Sequence, residues 1–341
     1  KLTQLENSPS SITWSPDGNQ LAFSMKVNAK APVIAKMPSK PKDAKWAKSP
    51  RITDRLKHEA DGQGYIKPGF SHIFVISAEG GSPRQLTKEN YNHRGSLSWS
   101  PNGKEIFFSG NLTENWEYDF RNSEIYSVHT ITQEIKTFTT QNGPDRQPSV
   151  SPNGKYISYL GFDDKVQAYQ VSQLTIMDRY GENKRVLSNK LDRSIKRAIW
   201  SKDSKGLYIL FEDKGKTTLA FMDLNGKISK ITDELGGTTL GRPYASGSFS
   251  VSNDGKIAFT SGVNSQPSEV AITSLKSKES KVITDLNSDL LDYRSLGEVE
   301  EIWYKSSVDG RDIQGWIVYP FEYDKNNKYP IIIKNHGGPI L

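Results

Sequence analysis

A chain of 341 residues, 35% of them apolar and 25% charged, is long enough to bury a sizeable core in two or three domains, or in one large repetitive domain with part of another. The absence of cysteine removes disulfides, thiolate metal sites and a cysteine nucleophile together, and no apolar run approaches the roughly 18 residues of a membrane helix. The net charge of +6 is local: residues 26–57 hold ten basic and two acidic side chains, which leaves the remaining chain at −2. This Pro- and Lys-rich stretch, about 26–60, reads as a solvated insertion, with an anion- or nucleic-acid-contacting arm as the alternative. Only Trp46 interleaves an aromatic with these charges, whereas single-strand binders need several stacking platforms, so neither a nucleic-acid nor a membrane partner is expected.

In chain order a short phrase recurs: Trp14-Ser15-Pro16-Asp17-Gly18, Trp99-Ser100-Pro101-Asn102-Gly103, Val150-Ser151-Pro152-Asn153-Gly154, Trp200-Ser201-Lys202-Asp203-Ser204 and Val251-Ser252-Asn253-Asp254-Gly255. Its serines are 85, 51, 50 and 51 residues apart, and the surplus in the first interval falls on the basic insertion. Pro presets φ for the second position of a tight turn, Asp or Asn tolerates the next and Gly accepts a positive φ, so each phrase predicts a hairpin turn. Apolar residues alternate after it, as in Leu21/Phe23, Ile106/Phe108, Ile157/Tyr159, Leu207/Ile209 and Ile257/Phe259, which is the period of strands with one buried face. A second hairpin follows in every copy, with Gly80-Gly81 or Asn225-Gly226 at its turn and Leu86-Thr87, Ile231-Thr232 or Ile283-Thr284 at its end.

Two hairpins make four strands, and four-stranded units at a period near 50 predict an all-β fold of β-propeller blades over residues 1–296, five of them visible. Leu2-Thr3 matches the blade-ending dipeptides, so the chain is expected to begin at the end of a blade and the propeller to be incomplete at its N-terminus. The recurring Trp, Phe and Tyr positions read as packing between blades, with a stacking platform for carbohydrate or bases as the alternative.

Residues 297–341 follow another pattern. Glu298–Ser306 and Ile313–Pro320 predict two strands joined at Asp309-Gly310, and Ile331-Ile332-Ile333 predicts a third strand, buried on both faces, that runs into His336-Gly337-Gly338-Pro339. Consecutive glycines after a buried strand suit a backbone that brings N–H groups close to a substrate oxyanion, because a Cβ would block the approach. A plain Gly-Gly-Pro turn is the competing reading.

With Val299-Glu300-Glu301, Ser307-Val308-Asp309-Gly310, Gly315-Trp316, Tyr329-Pro330 and His336-Gly337-Gly338-Pro339 in this order after Ser-Pro-Asp-Gly repeats, the chain resembles the prolyl oligopeptidase family of serine peptidases. The likeness is strongest to its acylaminoacyl-peptidase and dipeptidyl-peptidase branch, and includes Asp61-Gly62-Gln63-Gly64-Tyr65, His72-Ile73-Phe74-Val75 and Leu191-Asp192-Arg193-Ser194. The resemblance implies a propeller ring of about seven blades that gates substrate, followed by the first strands of a truncated α/β-hydrolase domain. It implies acyl transfer by a Ser-His-Asp triad, with the Gly337 and Gly338 backbone as oxyanion donors and short peptides as substrates.

No Gly-x-Ser-x-Gly elbow occurs, so the triad is expected beyond Leu341, the chain is expected to be inactive alone and its hydrolase domain is a missing partner. Family members that release dipeptides hold the free amine with propeller carboxylates, which points to Glu114 and Glu117 in Asn111-Leu112-Thr113-Glu114-Asn115-Trp116-Glu117-Tyr118; an exposed acidic loop is the alternative. His58, His72, His93 and His129 read as surface or satisfied structural residues, and no metal motif or cofactor is implied. A TolB-type scaffold that binds proteins is the alternative function, homo-oligomerisation stays open, and so does the compartment, bacterial periplasm or cytoplasm.

Overall fold

The computed structural model describes residues 2–30, 35, 38–47, 51–239 and 242–334, of which 238–239 and 242–245 by backbone alone. The chain divides into two compact units, one of residues 1–165 and 175–185, the other of residues 166–174 and 186–341. Strands dominate both. The first sheet has the order β1 (Ser10–Trp14), β2 (Gln20–Asn28), β5 (Gly69–Ser77) and β6 (Arg84–Gln85), and a small hairpin of β3 (Glu59–Ala60) and β4 (Gly64–Tyr65) lies between β2 and β5 in sequence. Pairing of β2 with β5 continues to Asn28↔Gly69, so the long connection of this blade is residues 29–68, and Lys26 belongs to the ladder.

The second sheet contains β7 (Arg94–Trp99), β8 (Glu105–Gly110), β9 (Glu124–His129) and β10 (Ile135–Thr137). The third contains β11 (Arg146–Val150), β12 (Tyr156–Gly161), β13 (Gln173–Asp178) and β14 (Arg185–Val186). A fourth set, β15 (Ile195–Trp200), β16 (Gly206–Asp213), β17 (Lys216–Asp223) and β18 (Ile228–Leu235), is followed by the pair β19 (Gly237–Thr239) and β20 (Arg242–Ala245). A fifth comprises β21 (Phe249–Val251), β22 (Lys256–Val263), β23 (Gln266–Ser274) and β24 (Lys281–Val282). The fourth and fifth join into one eight-stranded sheet through the single pairing Leu235↔Ser261. Five four-stranded β-propeller blades result, as the turn phrases predict. The one helix among the described residues, α1 (Ser288–Leu291), is too short to cross a membrane.

Each turn phrase closes in the same way. The amide of its fifth residue donates to the carbonyl of its serine, from Gly18, Gly103, Gly154, Ser204 and Gly255, at 2.8–3.0 Å. These residues sit at φ of +58° to +80°, which glycine adopts without steric cost and Ser204 adopts in its place. The serine hydroxyl then donates to the Asp or Asn carboxyl or amide oxygen two residues on: Ser15 to Asp17, Ser100 to Asn102, Ser151 to Asn153 and Ser201 to Asp203, at 2.6–2.8 Å, and Ser252 to Asp254 likewise. In three copies it also accepts an amide of the next strand, from Gln20, Glu105 and Tyr156, at 2.9–3.0 Å. Serine donation holds the Asp17 and Asp203 carboxyls below their ordinary range and Asp254 at about 2.

A second hydroxyl closes the far end of the blades. The Thr or Ser that follows the outer strand accepts an amide of the third strand, from Ile73 to Thr87, Ile125 to Thr139, Leu174 to Ser188 and Val270 to Thr284. This is the physical content of the recurring Leu-Thr and Ile-Thr endings: a buried amide at a ladder end needs an acceptor. Between the two closures the alternating side chains fill the core, with Ile73, Ile106, Phe108 and Val128 fully buried in one cluster and Leu219, Ile257 and Phe259 in another.

Two expectations fail. Trp99 and Trp200 are buried, but Trp14 at the same phrase position is 59% exposed, as is Ile12, because no described side chain covers that face of the first blade. Residues 330–334 form no strand, and Ile331, Ile332 and Ile333 are 83%, 96% and 78% exposed: an apolar run becomes a strand only where a neighbouring strand takes its amides, and none among the described residues does. The hairpin across Asp309-Gly310 does form, from β25 (Val299–Lys305) and β26 (Asp312–Val318), with Lys305↔Asp312 next to the turn.

If the serine hydroxyl ties the turn to the strand, Ser100→Ala should lower unfolding free energy by about 1–3 kcal/mol in urea titration, the cost of stranding buried partners. Asn102→Ala should cost less, because the Ser100 hydroxyl has the Glu105 carbonyl at 3.2 Å as a second acceptor. A loss under about 0.5 kcal/mol for Ser100→Ala would remove the tie.

Candidate functional site

Glu114 and Glu117 lie in the connection from β8 to β9, residues 111–123, which folds as a short helical turn. Amides of Trp116, Tyr118 and Asp119 donate to the carbonyls of Thr113, Asn115 and Asn115 at 2.9–3.3 Å. Asn111 locks its start: its side-chain oxygen accepts the Thr113 hydroxyl at 2.7 Å and its amide nitrogen donates to the Asp119 carbonyl at 2.8 Å. Three-residue spacing on such a turn puts the two carboxylates on one face. Glu114 is exposed, and Glu117 is half-buried with Oε2 accepting the Leu56 amide at 3.5 Å. The acidic turn therefore offers one open carboxylate and one with an oxygen to spare.

Deeper in the same unit, two titratable pairs occupy matched places that composition does not reveal. His72 and Glu124 each precede the capped amide of their blade, at Ile73 and Ile125. Across the connection the amides of His93 and Asp145 donate to the Ser71 and Ser123 carbonyls at 2.8 and 2.7 Å. His72 and His93 stack at 5.3 Å, and His93 also packs at 5.5 Å on the ring of Phe108. Burial pushes His72 down and His93 down to about 4, although Glu89 stands 3.2 Å from the His93 Nε2.

Burial raises Glu124 to about 7 and Asp145 to about 6. Gln141 donates to Asp145 Oδ1 at 2.8 Å, while Glu124 Oε2 and Asp145 Oδ2 have no hydrogen-bond partner. Room for the Asp145 carboxyl exists because residue 161 is Gly: a Cβ there would lie 2.3 Å from Oδ1. Of the other histidines, His129 accepts the Ile131 and Thr132 amides on Nδ1 at 3.2 and 3.1 Å, as a satisfied structural residue does, and the His58 Nδ1 lies 3.1 Å from the Leu56 carbonyl. His336, Gly337, Gly338 and Pro339, the expected oxyanion motif, lie outside the described residues.

Blades closed by Ser-Pro-Asp/Asn-Gly turns, with an acidic turn on a blade connection, define the class as a β-propeller region. Residues 27–165 match the family described as the Dipeptidyl peptidase IV (DPP IV) N-terminal region. Along its whole length the chain is 26% identical to the uncharacterized peptidase YuxL of Bacillus subtilis, covering 52% of that protein. Over 76% of its length it is 27% identical to dipeptidyl-peptidase 5 of Porphyromonas gingivalis, covering 37% of it, so the chain spans no more than about half of these relatives. The acylaminoacyl peptidase of Pyrococcus horikoshii shares the fold with a TM-score of 0.70 over 97% of this chain and 46% of its own, at 16% identity. The likeness is thus to peptidases over the whole chain, and within residues 27–165 to the N-terminal region of dipeptidyl peptidase IV.

Stability should follow the buried acid with a definite sign. The folded pKa of Glu124 is raised, so its contribution is fully present below about pH 4.5 and is lost as pH rises through about 7. His93, depressed, acts the other way: its contribution is present above about pH 6.5 and is lost as pH falls toward 4. Glu124→Gln should be about 2–3 kcal/mol more stable than the native chain at about pH 8 and no more stable at about pH 4.5, measured by urea unfolding. An equal change at both pH values would contradict the assignment.

Proposed function

We propose that this propeller region selects peptides with a free N-terminus for a serine peptidase, and that Glu114 and Glu117 hold the substrate ammonium. The observation that carries this reading is the acidic turn itself, capped by Asn111 and presenting two carboxylates three residues apart from a blade connection. An ammonium has three N–H donors, and carboxylates meet them with charge-assisted bonds of about 2.7–2.9 Å that strengthen as water is excluded. The name of the P. gingivalis relative, dipeptidyl-peptidase 5, supports the same substrate class.

In this reading the peptide bond is cut by acyl transfer to a serine, with histidine as general base and aspartate orienting it, while the Gly337 and Gly338 amides receive the oxyanion. The propeller gates access so that short peptides reach the serine. No Gly-x-Ser-x-Gly sequence is present among the 341 residues, so they select rather than cut. Residues 1–296 form the selecting part and residues 297–341 open the hydrolase domain.

In the full-length protein, changing Glu114 and Glu117 together to Gln should raise KM for free-amine dipeptidyl anilides about tenfold or more and spare N-acetylated substrates. Equal effects on both substrate types would end the amine-recognition reading. The 341 residues alone should show no turnover of either substrate, and turnover blocked by a serine-directed fluorophosphonate would refute the assignment of chemistry to other residues.

A further inference from the structure

The basic insertion is not simply solvated: one of its arginines is built into the support of the acidic turn. Arg55 lies with its guanidinium carbon 4.3 Å from the ring centre of Phe70 and 5.7 Å from that of Trp116, and the two rings meet edge to face at 6.0 Å. Its Nη1 donates to the Gly69 carbonyl at 3.4 Å. Phe70 is fixed in the β2–β5 ladder opposite Val27. Trp116 is the neighbour of Glu117, and Leu56, the neighbour of Arg55, donates its amide to Glu117 Oε2. A continuous path thus runs from a rigid ladder through a guanidinium to the turn that carries the two carboxylates.

We infer that Arg55 is the positioning residue of the acidic turn: by packing against the edge-to-face pair of Phe70 and Trp116 it fixes the turn's rotation about the strand ends, and with the Leu56 amide it sets the direction in which Glu117 faces. This rests on the amine-recognition reading for its consequence, not for its geometry. A planar guanidinium can lie against two aromatic faces and still donate in its plane, which an ammonium on a flexible stem cannot do. The substrate class is unchanged, a peptide with a free amine, but specificity for it then depends on a residue that does not touch it.

Two measurements separate the inference from the reading it extends. In the 341-residue chain, Arg55→Ala should speed amide hydrogen exchange across residues 111–119 while the ladder of β2 and β5 stays protected, and Arg55→Lys should fall between. Unchanged protection of the turn would overturn the coupling. In the full-length protein, Arg55→Ala should raise the KM ratio of free-amine to N-acetylated dipeptidyl anilide about tenfold, with Arg55→Lys recovering only part of it. In a background of Glu117→Gln the same change should add little, because both act through one contact. A normal ratio in Arg55→Ala, with a raised one in the Glu114/Glu117 double variant, would overturn the positioning role and leave amine recognition standing. A normal ratio in that double variant would defeat amine recognition, and the exchange result would then decide the coupling by itself.

Discussion

A serine hydroxyl that gives its proton to the Asp or Asn two residues ahead is the contact on which the blades depend. It turns a tight bend into a fixed corner, because the same oxygen, in the copies at Ser15, Ser100 and Ser151, takes the first amide of the returning strand. Register in a sheet has a period of two, so a corner that slipped by one residue would exchange the two packed faces of a strand such as β8, where Ile106 and Phe108 fill one cluster and Phe107 another. Five such corners fix the face that Leu21 shares with Phe23, Ile106 with Phe108 and their counterparts, and the Thr or Ser at the opposite end caps an amide of the third strand beside its pairing with the outer strand. With both ends pinned, the connection between second and third strands can vary without disturbing the core, which is where the chain places its insertion and its acidic turn.

That freedom is used unequally. The 29–68 connection reaches back through Arg55 to Phe70 and Trp116, the 111–123 connection folds on its own Asn111 cap, and the fourth blade closes with Lys214-Gly215 alone, both at positive φ. On this last turn β26 rests: Gln314 donates to the Lys214 carbonyl at 2.9 Å and the Trp316 ring occupies the space a Cβ at Gly215 would need. Glycine is required there both for backbone angle and for room. Glu124 and Asp145 are buried in the first unit, where removal from water raises both carboxyls above their ordinary range.

Much of the fold was legible because its determinants are local. Pro16, Gly18 and their repeats declare backbone angles, and alternation declares a buried face, neither of which needs knowledge of distant residues. The turn serines recur in all five copies, yet Pro and Gly alone explain the turn, so the sequence does not declare the bonds of the hydroxyl. What depends on distant neighbours was not legible. Trp14 and Trp99 stand in the same phrase, and only the surroundings make one exposed and the other buried. Ile331-Ile332-Ile333 has the composition of a central strand without a described partner to make it one. Arg55 sat in a run of like charges, which reads as solvation until Phe70 and Trp116 are seen around it. Glu124 and Asp145 carry no sequence mark of burial, since their setting comes from Gly161 and Gln141 on other segments. Glu114 and Glu117 are marked only by a family likeness, and the helical turn that carries them is not declared by their spacing.

Amine recognition by the acidic turn of the second blade is open to direct test. The most direct measurement is a crystal structure of the full-length protein with a non-hydrolysable dipeptide analogue that keeps its free amine. Amine recognition predicts the peptide ammonium within about 3 Å of carboxylate oxygens of both Glu114 and Glu117, with Arg55 still against Phe70 and Trp116. An ammonium bound to other groups, with the turn at 111–119 open to solvent, would contradict it.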